Sequence, residues 1–422
     1  MQGNLVSKEE EFQVLPRSWP SVMAMVCGAC MHLSFILGGE LFVGELLFVA
    51  LLPFFIFDRF FIHRSECRQQ VWLWKPVSFL ICSLFITSAG YVISDLYRNN
   101  DPGDYLRGWA RLAFLGIDIL AVAFFISIRI LNMWYLVLGY ATLGLVIIAL
   151  KGTPIDSSHW KFGYDWSIGY GYPFVLTIMA ILCLMGKGSA YWRGAILISL
   201  MAVNIVMDYR SLGVFCFVVA LMGWIYRASL QGSGRLAFLG VQSLVVSLLL
   251  VVAYNSSQSN FEQRRQASNS IRLSSAMVGI NAIIESPFIG YGSWSRDARF
   301  AKQLADLQFR MSKTQENPLY DFDLIRHASL AAHSQLIESW NEGGMLGIIF
   351  FLCYFLVMVR GLNALTFRRH NEKLDPMLSM FIVWAMWALF MSPFKGLTRL
   401  DIAFACISSI IAIYRADKHV ET

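Results

Sequence analysis

Long apolar runs constrain this chain more than anything else in it. Stretches such as "FLICSLFITSAGYVI" (79–93) and "VQSLVVSLLLVVAY" (241–254) contain no charged residue. With their flanks they approach the ~20 residues a helix needs to cross a ~30 Å hydrocarbon core. In lipid every backbone N–H and C=O must be satisfied within the protein, which leaves helices or closed barrels. Barrel strands alternate apolar and polar residues with period two, and these runs do not. The expected fold is therefore all-α, a polytopic transmembrane helical protein. Composition agrees: 57% of the 422 residues are apolar and 15% are charged, too few charges to cover a soluble domain.

Hydropathy predicts about twelve spans, near 21–38, 41–57, 74–95, 109–128, 131–150, 170–186, 193–208, 211–226, 236–254, 344–361, 378–395 and 399–415. The loops "DRFFIHRSECRQQ", "GKGSAYWR", "YRASLQGSGR" and "RGLNALTFRRHNEK" are basic and fall in one register of alternate connections. The positive-inside rule puts them, and both termini, in the cytoplasm. "DLYRNNDPGDYLRG", "KGTPIDSSHWKFGYDWS", "DYR" and the long segment 255–343 then face outward. The net charge of +6 is absorbed by this topology signal, so no nucleic-acid partner is expected. No cleavable signal peptide is expected before the first span. None of the eight cysteines lies in an outward loop, so no disulfide is expected, and "CGAC" at 27–30 reads as small packing residues within a span. His32 reads as a packed residue.

The chain divides into helices one to nine (1–254), a periplasmic loop (255–343), and helices ten to twelve with a cytoplasmic tail (344–422). A connection this long usually carries structure of its own. In "IRLSSAMVGINAIIE", Ile271, Ser275, Val278 and Ala282 share one face of an amphipathic helix expected at the membrane surface. Pro287, Gly290 and Gly292 then break the chain. Further helices are predicted from about Ala298 to Met311 and from about His327 to Trp340.

Several polar residues stand where chemistry is possible. His333 precedes Gly343, Gly344 and Gly347 at the outward face, with a neutral-pH proton switch's ordinary titration range. Arg210 follows "VNIVMDY" with almost no loop to move in, and Arg272 opens the surface helix. Arginines just outside a bilayer suit a phosphate-bearing lipid, because the guanidinium donates two parallel hydrogen bonds and stays charged. Asp118 lies in the fourth span two turns beyond Arg111, and the two are expected to pair. Glu45 is expected to face a cavity. "DFD" at 321–323 is a weak metal signal, and no metal site is predicted.

Three motifs carry a family resemblance. "HSQLIESWNEGGMLGIIFF" resembles the histidine motif of the O-antigen ligase and O-antigen polymerase family, with His333, Glu342, Gly344 and Gly347 at the matching positions. "YRSLG" resembles the element that opens a middle span, and "IRLSSAMVGINAIIESPFIGYG" resembles the Arg, helix, Pro-x-x-Gly-x-Gly element. The likeness covers roughly 195–350; Ser334 stands where the family more often has Asn, and Tyr209 and Ser211 flank the arginine in place of Ser and Gly.

The resemblance implies a metal-independent, inverting glycosyltransferase of the GT-C-like class in the bacterial inner membrane, its active site facing the periplasm and needing no cofactor. The donor would be a glycan on undecaprenyl diphosphate. The acceptor would be lipid A–core oligosaccharide for a ligase, or a lipid-linked repeat for a polymerase. His333 would be catalytic, and Arg210 and Arg272 would bind the diphosphate. Glu342, Arg296, Arg299 and Asp118 would contact or support substrate, with Arg296, Arg299, Lys302 and Arg310 favouring a phosphorylated core and hence the ligase. A lipid-linked glycan transporter is the competing class; it needs charged or broken helices near the midplane, of which the sequence offers few.

Overall fold

The computed structural model describes residues 19–36, 40–57, 70–151, 169–185, 190–207, 209–228, 261–294, 297–311, 333–367, 375–394 and 396–418. These residues are overwhelmingly helical. In chain order the helices are α1 (Trp19–Cys30), α2 (Val43–Phe57), α3 (Val71–Arg98), α4 (Pro102–Ile128), α5 (Asn132–Lys151), α6 (Gly171–Met185) and α7 (Ala190–Val206). There follow α8 (Arg210–Ala228), α9 (Phe261–Glu285), α10 (Ala298–Met311), α11 (Gln335–Gly347), α12 (Ile349–Phe367), α13 (Asp375–Met391) and α14 (Thr398–Lys418).

Among the described residues, three helices are long and apolar enough to cross a membrane: Val71–Arg98, Pro102–Ile128 and Asn132–Leu150. The pair Gln335–Gly347 and Ile349–Leu365, bent by 111° at its break, makes a fourth if taken as one span. Shorter apolar helices lie at the expected spans near 21–38, 41–57, 170–186, 193–208, 211–226 and 378–395; 236–254 lies outside the described residues, and 399–415 falls in α14, which is long enough but is not among the helices apolar enough to cross a membrane. The first expected span, 21–38, stops as a helix at Cys30. It gives way to a two-stranded antiparallel ribbon, β1 (Ser34–Ile36) and β2 (Glu40–Phe42), with Phe35 opposite Leu41. A short apolar run reads alike as a helix turn or a strand.

Local chemistry sets several boundaries. Asp101 caps α4, its carboxylate accepting from Gly103 N at 3.3 Å, and Pro102 follows where a missing N–H costs nothing. Asn99 closes α3 in the left-handed conformation, φ 54°. Helix α1 crosses α5 at backbone contact: a Cβ on Gly28 would strike the carbonyl of Leu136, and one on Gly139 the carbonyl of Met25. Small residues at such crossings are how membrane helices gain packing. That is the role of "CGAC", whose Cys27 and Cys30 are free thiols. His32 stacks on Tyr140, ring centroids 4.6 Å apart, a packed histidine as expected.

The segment before α12 follows the sequence reading in part. Ser275, Val278 and Ala282 of α9 are buried and Ile271 is half-buried, and α10 covers that face through Phe300, Leu304 and Leu307. The third helix begins at Gln335, with Ser334 as its cap; residues 327–332 lie outside the described residues.

Candidate active site

The glycines of the two loop motifs serve each other. Segment 287–294 lies along the break between α11 and α12: Tyr291 N donates to Asn341 O at 2.6 Å, Gly292 N to Glu342 O at 2.9 Å, and Met345 N to Phe288 O at 3.3 Å. Trp340 Nε1 adds a bond to Pro287 O at 2.9 Å. A Cβ on Gly344 (φ 64°) would run into the carbonyl of Phe288, and one on Gly290 into that of Glu342. Only glycine fits where two backbones approach this closely. The C-terminal end of α3 holds the same segment from the other side. Arg98 Nε donates to Gly290 O at 3.1 Å, while Asp95 accepts from Ser293 N at 2.6 Å, Ser293 Oγ at 2.7 Å and Trp109 Nε1 at 2.8 Å.

Arg111 of α4 fastens this clasp to the bundle. Its guanidinium donates to Glu338 Oε1 at 2.7 Å, to Phe394 O at 2.9 Å and to Glu342 Oε2. Glu338 also accepts from Phe394 N at 2.9 Å, and Glu342 from Trp294 N at 3.0 Å. The rings of Trp294 and Phe394 flank the cation, 5.3 and 4.8 Å from its centre. All three charged side chains are buried. Arg111 thus pairs with two glutamates of α11, not with Asp118 as its position two turns away implied. Glu342 is a structural support. Its partner Glu338 was missed, although two glutamates four residues apart at the edge of an apolar run signal a buried cation.

The elements carrying His333, Arg210 and Arg272 meet on the last turns of α13. Arg272 is half-buried with its guanidinium 5.7 Å from the ring of Trp387. Phe215, on the first turns of the helix that Arg210 opens, meets the same indole edge-on at 5.7 Å. Two residues further, Leu389 O accepts from Ser334 Oγ at 3.1 Å, fixing the residue next to His333. His333 is half-buried and Arg210 exposed. Trp387 gave no sequence signal, because an indole in a span reads as packing.

A second buried polar group lies where the N-terminal ends of α2, α6 and α14 meet the middle of α4. Arg399 Nε donates to Glu45 Oε1 at 2.8 Å, and Tyr172 OH to Asp401 Oδ1 at 2.8 Å. Asp118 is fully buried, its carboxylate without a hydrogen-bond partner among the described residues, and its charged neighbours are Glu45 and Arg399. Glu45 therefore faces a guanidinium rather than a cavity.

Of the remaining basic positions, Arg296 lies outside the described residues. Arg299 is exposed but engaged: Nη2 meets Asp297 at 2.8 Å and Nη1 meets Glu285 at 3.5 Å. The Arg299 hydrogen bonds hold the Asp297 carboxyl below its ordinary range. Lys302 and Arg310 are exposed on α10. No group of three His, Cys, Asp or Glu able to hold a metal is found among the described residues.

A bundle of apolar helices capped by a clasped loop describes a multi-pass membrane protein. Residues 196–352 match the family model described as O-antigen ligase, nearly the interval over which the motifs resemble that family. The match covers well under half of the chain and makes that segment similar to the O-antigen ligase family. Comparison with curated proteins finds no match.

Proposed function

We propose that this protein is an O-antigen ligase-type glycosyltransferase. In this reading it moves a polysaccharide from undecaprenyl diphosphate to a lipid A–core acceptor at the periplasmic face of the inner membrane. The observation that carries the reading is the meeting on α13 of the three elements that bear Arg272, Arg210 and His333.

An acceptor hydroxyl attacks the anomeric carbon, its oxygen forming the new glycosidic bond as the bond from that carbon to the diphosphate oxygen breaks. The electron pair leaves with undecaprenyl diphosphate, and the hydroxyl proton passes to His333. Arg210 and Arg272 stabilise the charge that grows on the leaving diphosphate. Attack from the face opposite the leaving group inverts the anomeric centre. The energy resides in the diphosphate linkage, so the scheme calls on no nucleotide and no metal. Arg299 is held by Asp297 and Glu285, so among the described residues Lys302 and Arg310 are exposed toward a phosphorylated core, with Arg296 as a further candidate.

His333→Ala and His327→Ala, compared at matched membrane abundance, test the assignment. Loss of the base should cut transfer by about two to four orders of magnitude in the first and leave the second near wild type. Equal transfer by both would remove His333 from the mechanism. In a deletion strain, unattached lipid-linked polymer is the ligase outcome, and accumulation of single lipid-linked repeats would make the protein a polymerase instead.

A further inference from the structure

Helix α9 carries two apolar faces, and among the described residues only one of them is closed. Val278 and Ala282 pack under α10. On the other side Leu273, Met277, Ile280, Ile284 and, just past the helix, Phe288 recur at steps of four, three, four and four. Each is between 44% and 72% exposed. From Leu273 to Ile284 this ridge runs roughly 17 Å along the helix. So large a continuous apolar strip is not left in water by a stable protein.

We propose that this second ridge, and not the Val278 and Ala282 face first expected at the membrane surface and covered instead by α10, is immersed in bilayer hydrocarbon, making α9 an in-plane membrane helix. Continuity identifies the occupant. Phe288 is joined to exposed Met345 through the bond from Met345 N to Phe288 O. The neighbouring Leu346 and Gly347 lie against Gly90 of α3. Helix α3 is one of the three long enough to cross a membrane, and its exposed face presents Phe85, Ile86, Ile93 and Leu96. Ridge and spanning helix therefore form one apolar surface, and a surface shared with a spanning helix has lipid as its solvent.

The borders fit that depth. At the α3 end, Arg98 lies 5.7 Å from the ring of Tyr97 and 4.8 Å from that of Tyr291. At the other end, Arg272 lies over Trp387. Arginine with tyrosine or tryptophan is the pairing that settles at the headgroup level. Arg272 thereby stands at the height of a lipid's phosphates, on the shoulder of a helix whose ridge lies below it. The inference goes beyond the transfer reaction and holds or fails independently of it.

The test uses the full-length wild-type protein in phosphatidylethanolamine and phosphatidylglycerol vesicles doped with phosphatidylcholine that bears a diazirine on its acyl chain. After irradiation and digestion, adducts are expected on peptides spanning Met277 to Phe288 and on those of α3 from Phe85 to Ile93, but not around Lys302 and Gln303. Labelled α3 peptides together with recovered but unlabelled α9 peptides would overturn the proposal. As an independent measurement, a fluorescent amino acid at Ile280 or Ile284 should be quenched at least about twofold more by acyl-chain doxyl lipid than one at Lys302, as for a helix whose apolar face is buried at the acyl boundary. Stronger quenching by aqueous iodide at Ile280 and Ile284 than at Lys302 would equally refute it.

Discussion

Removing the cation at the centre of the clasp is the most demanding test of the architecture. Arg111→Met keeps much of the side chain's volume and leaves Glu338 and Glu342 buried without their counter-charge. Each carboxylate retains one backbone donor, Phe394 N at 2.9 Å and Trp294 N at 3.0 Å. Truncating one partner of a buried ion pair costs about 3–5 kcal/mol, because the charge left behind is uncompensated. At 1.4 kcal/mol per tenfold, the low end alone shifts the ratio of closed to open junction by roughly a hundredfold. The same physics predicts a rescue. Adding Glu338→Gln and Glu342→Gln to Arg111→Met removes the uncompensated charges and should recover at least about half of the loss. Membrane proteins commonly unfold irreversibly, so the readout is the order of apparent midpoints in heated, detergent-solubilised samples analysed by size exclusion. Wild type should lie above the triple variant, and the triple variant above Arg111→Met. A triple variant no more stable than Arg111→Met would show that the arginine acts through shape and not charge.

Gly344→Ala should lower the thermal midpoint, since its backbone conformation at φ 64° costs a side chain about 1–3 kcal/mol before the collision with Phe288 O is counted. Gly116→Ala, whose Cβ would meet the side-chain ends Leu84 Cδ2 at 3.2 Å and Ile81 Cδ1 at 3.9 Å, should be neutral or gain up to about 1 kcal/mol; a reversed order would refute the clasp. Asp297 is held low by Arg299, so its contribution to the start of α10 is present above the ordinary carboxylate value and is lost as pH falls through the depressed one. Amide protection at Arg299 and Ala301, corrected for intrinsic exchange, should stay flat from about pH 8 to pH 5 and fall only below about 3.9. Loss near pH 6 would assign the effect to another group.

Sequence periodicity carried the helices because each must bury its own backbone, whatever its neighbours do. The start of α4 at Pro102 was not read, the span being expected from 109 with the Asp-Pro pair in the outward loop, whereas α10 from Ala298 to Met311 was expected with those bounds. Tertiary pairing was not legible. Arg111 and Asp118 share a helix face, so proximity along the chain proposed a partnership, yet two glutamates from a helix more than two hundred residues away took the arginine. The ribbon at Ser34–Ile36 was hidden for a different reason: three apolar-rich residues have no period to read. His333, Arg210 and Arg272 were picked out by residue type and by motif. That Trp387 and Leu389 of α13 join their elements depends on how the helices cross, which composition does not encode.

The break between α11 and α12 explains how one motif serves both architecture and site. A straight helix continuing α12 backwards would carry His333 about 24 Å beyond Ile349 along the axis. The turn at Gly344 lays α11 at 111° to α12, across the end of the bundle. Gln335, Glu338, Ser339 and Glu342, spaced to share one face, are then all buried, and two of them receive Arg111. With that face fixed, the N-terminal end of α11 has one place to go, against Leu389 of α13, where Ser334 is bonded. Gly344 acts on the histidine at a distance, by fixing the direction in which α11 leaves the clasp. Residues that never touch a substrate therefore decide which side chains share a surface with His333.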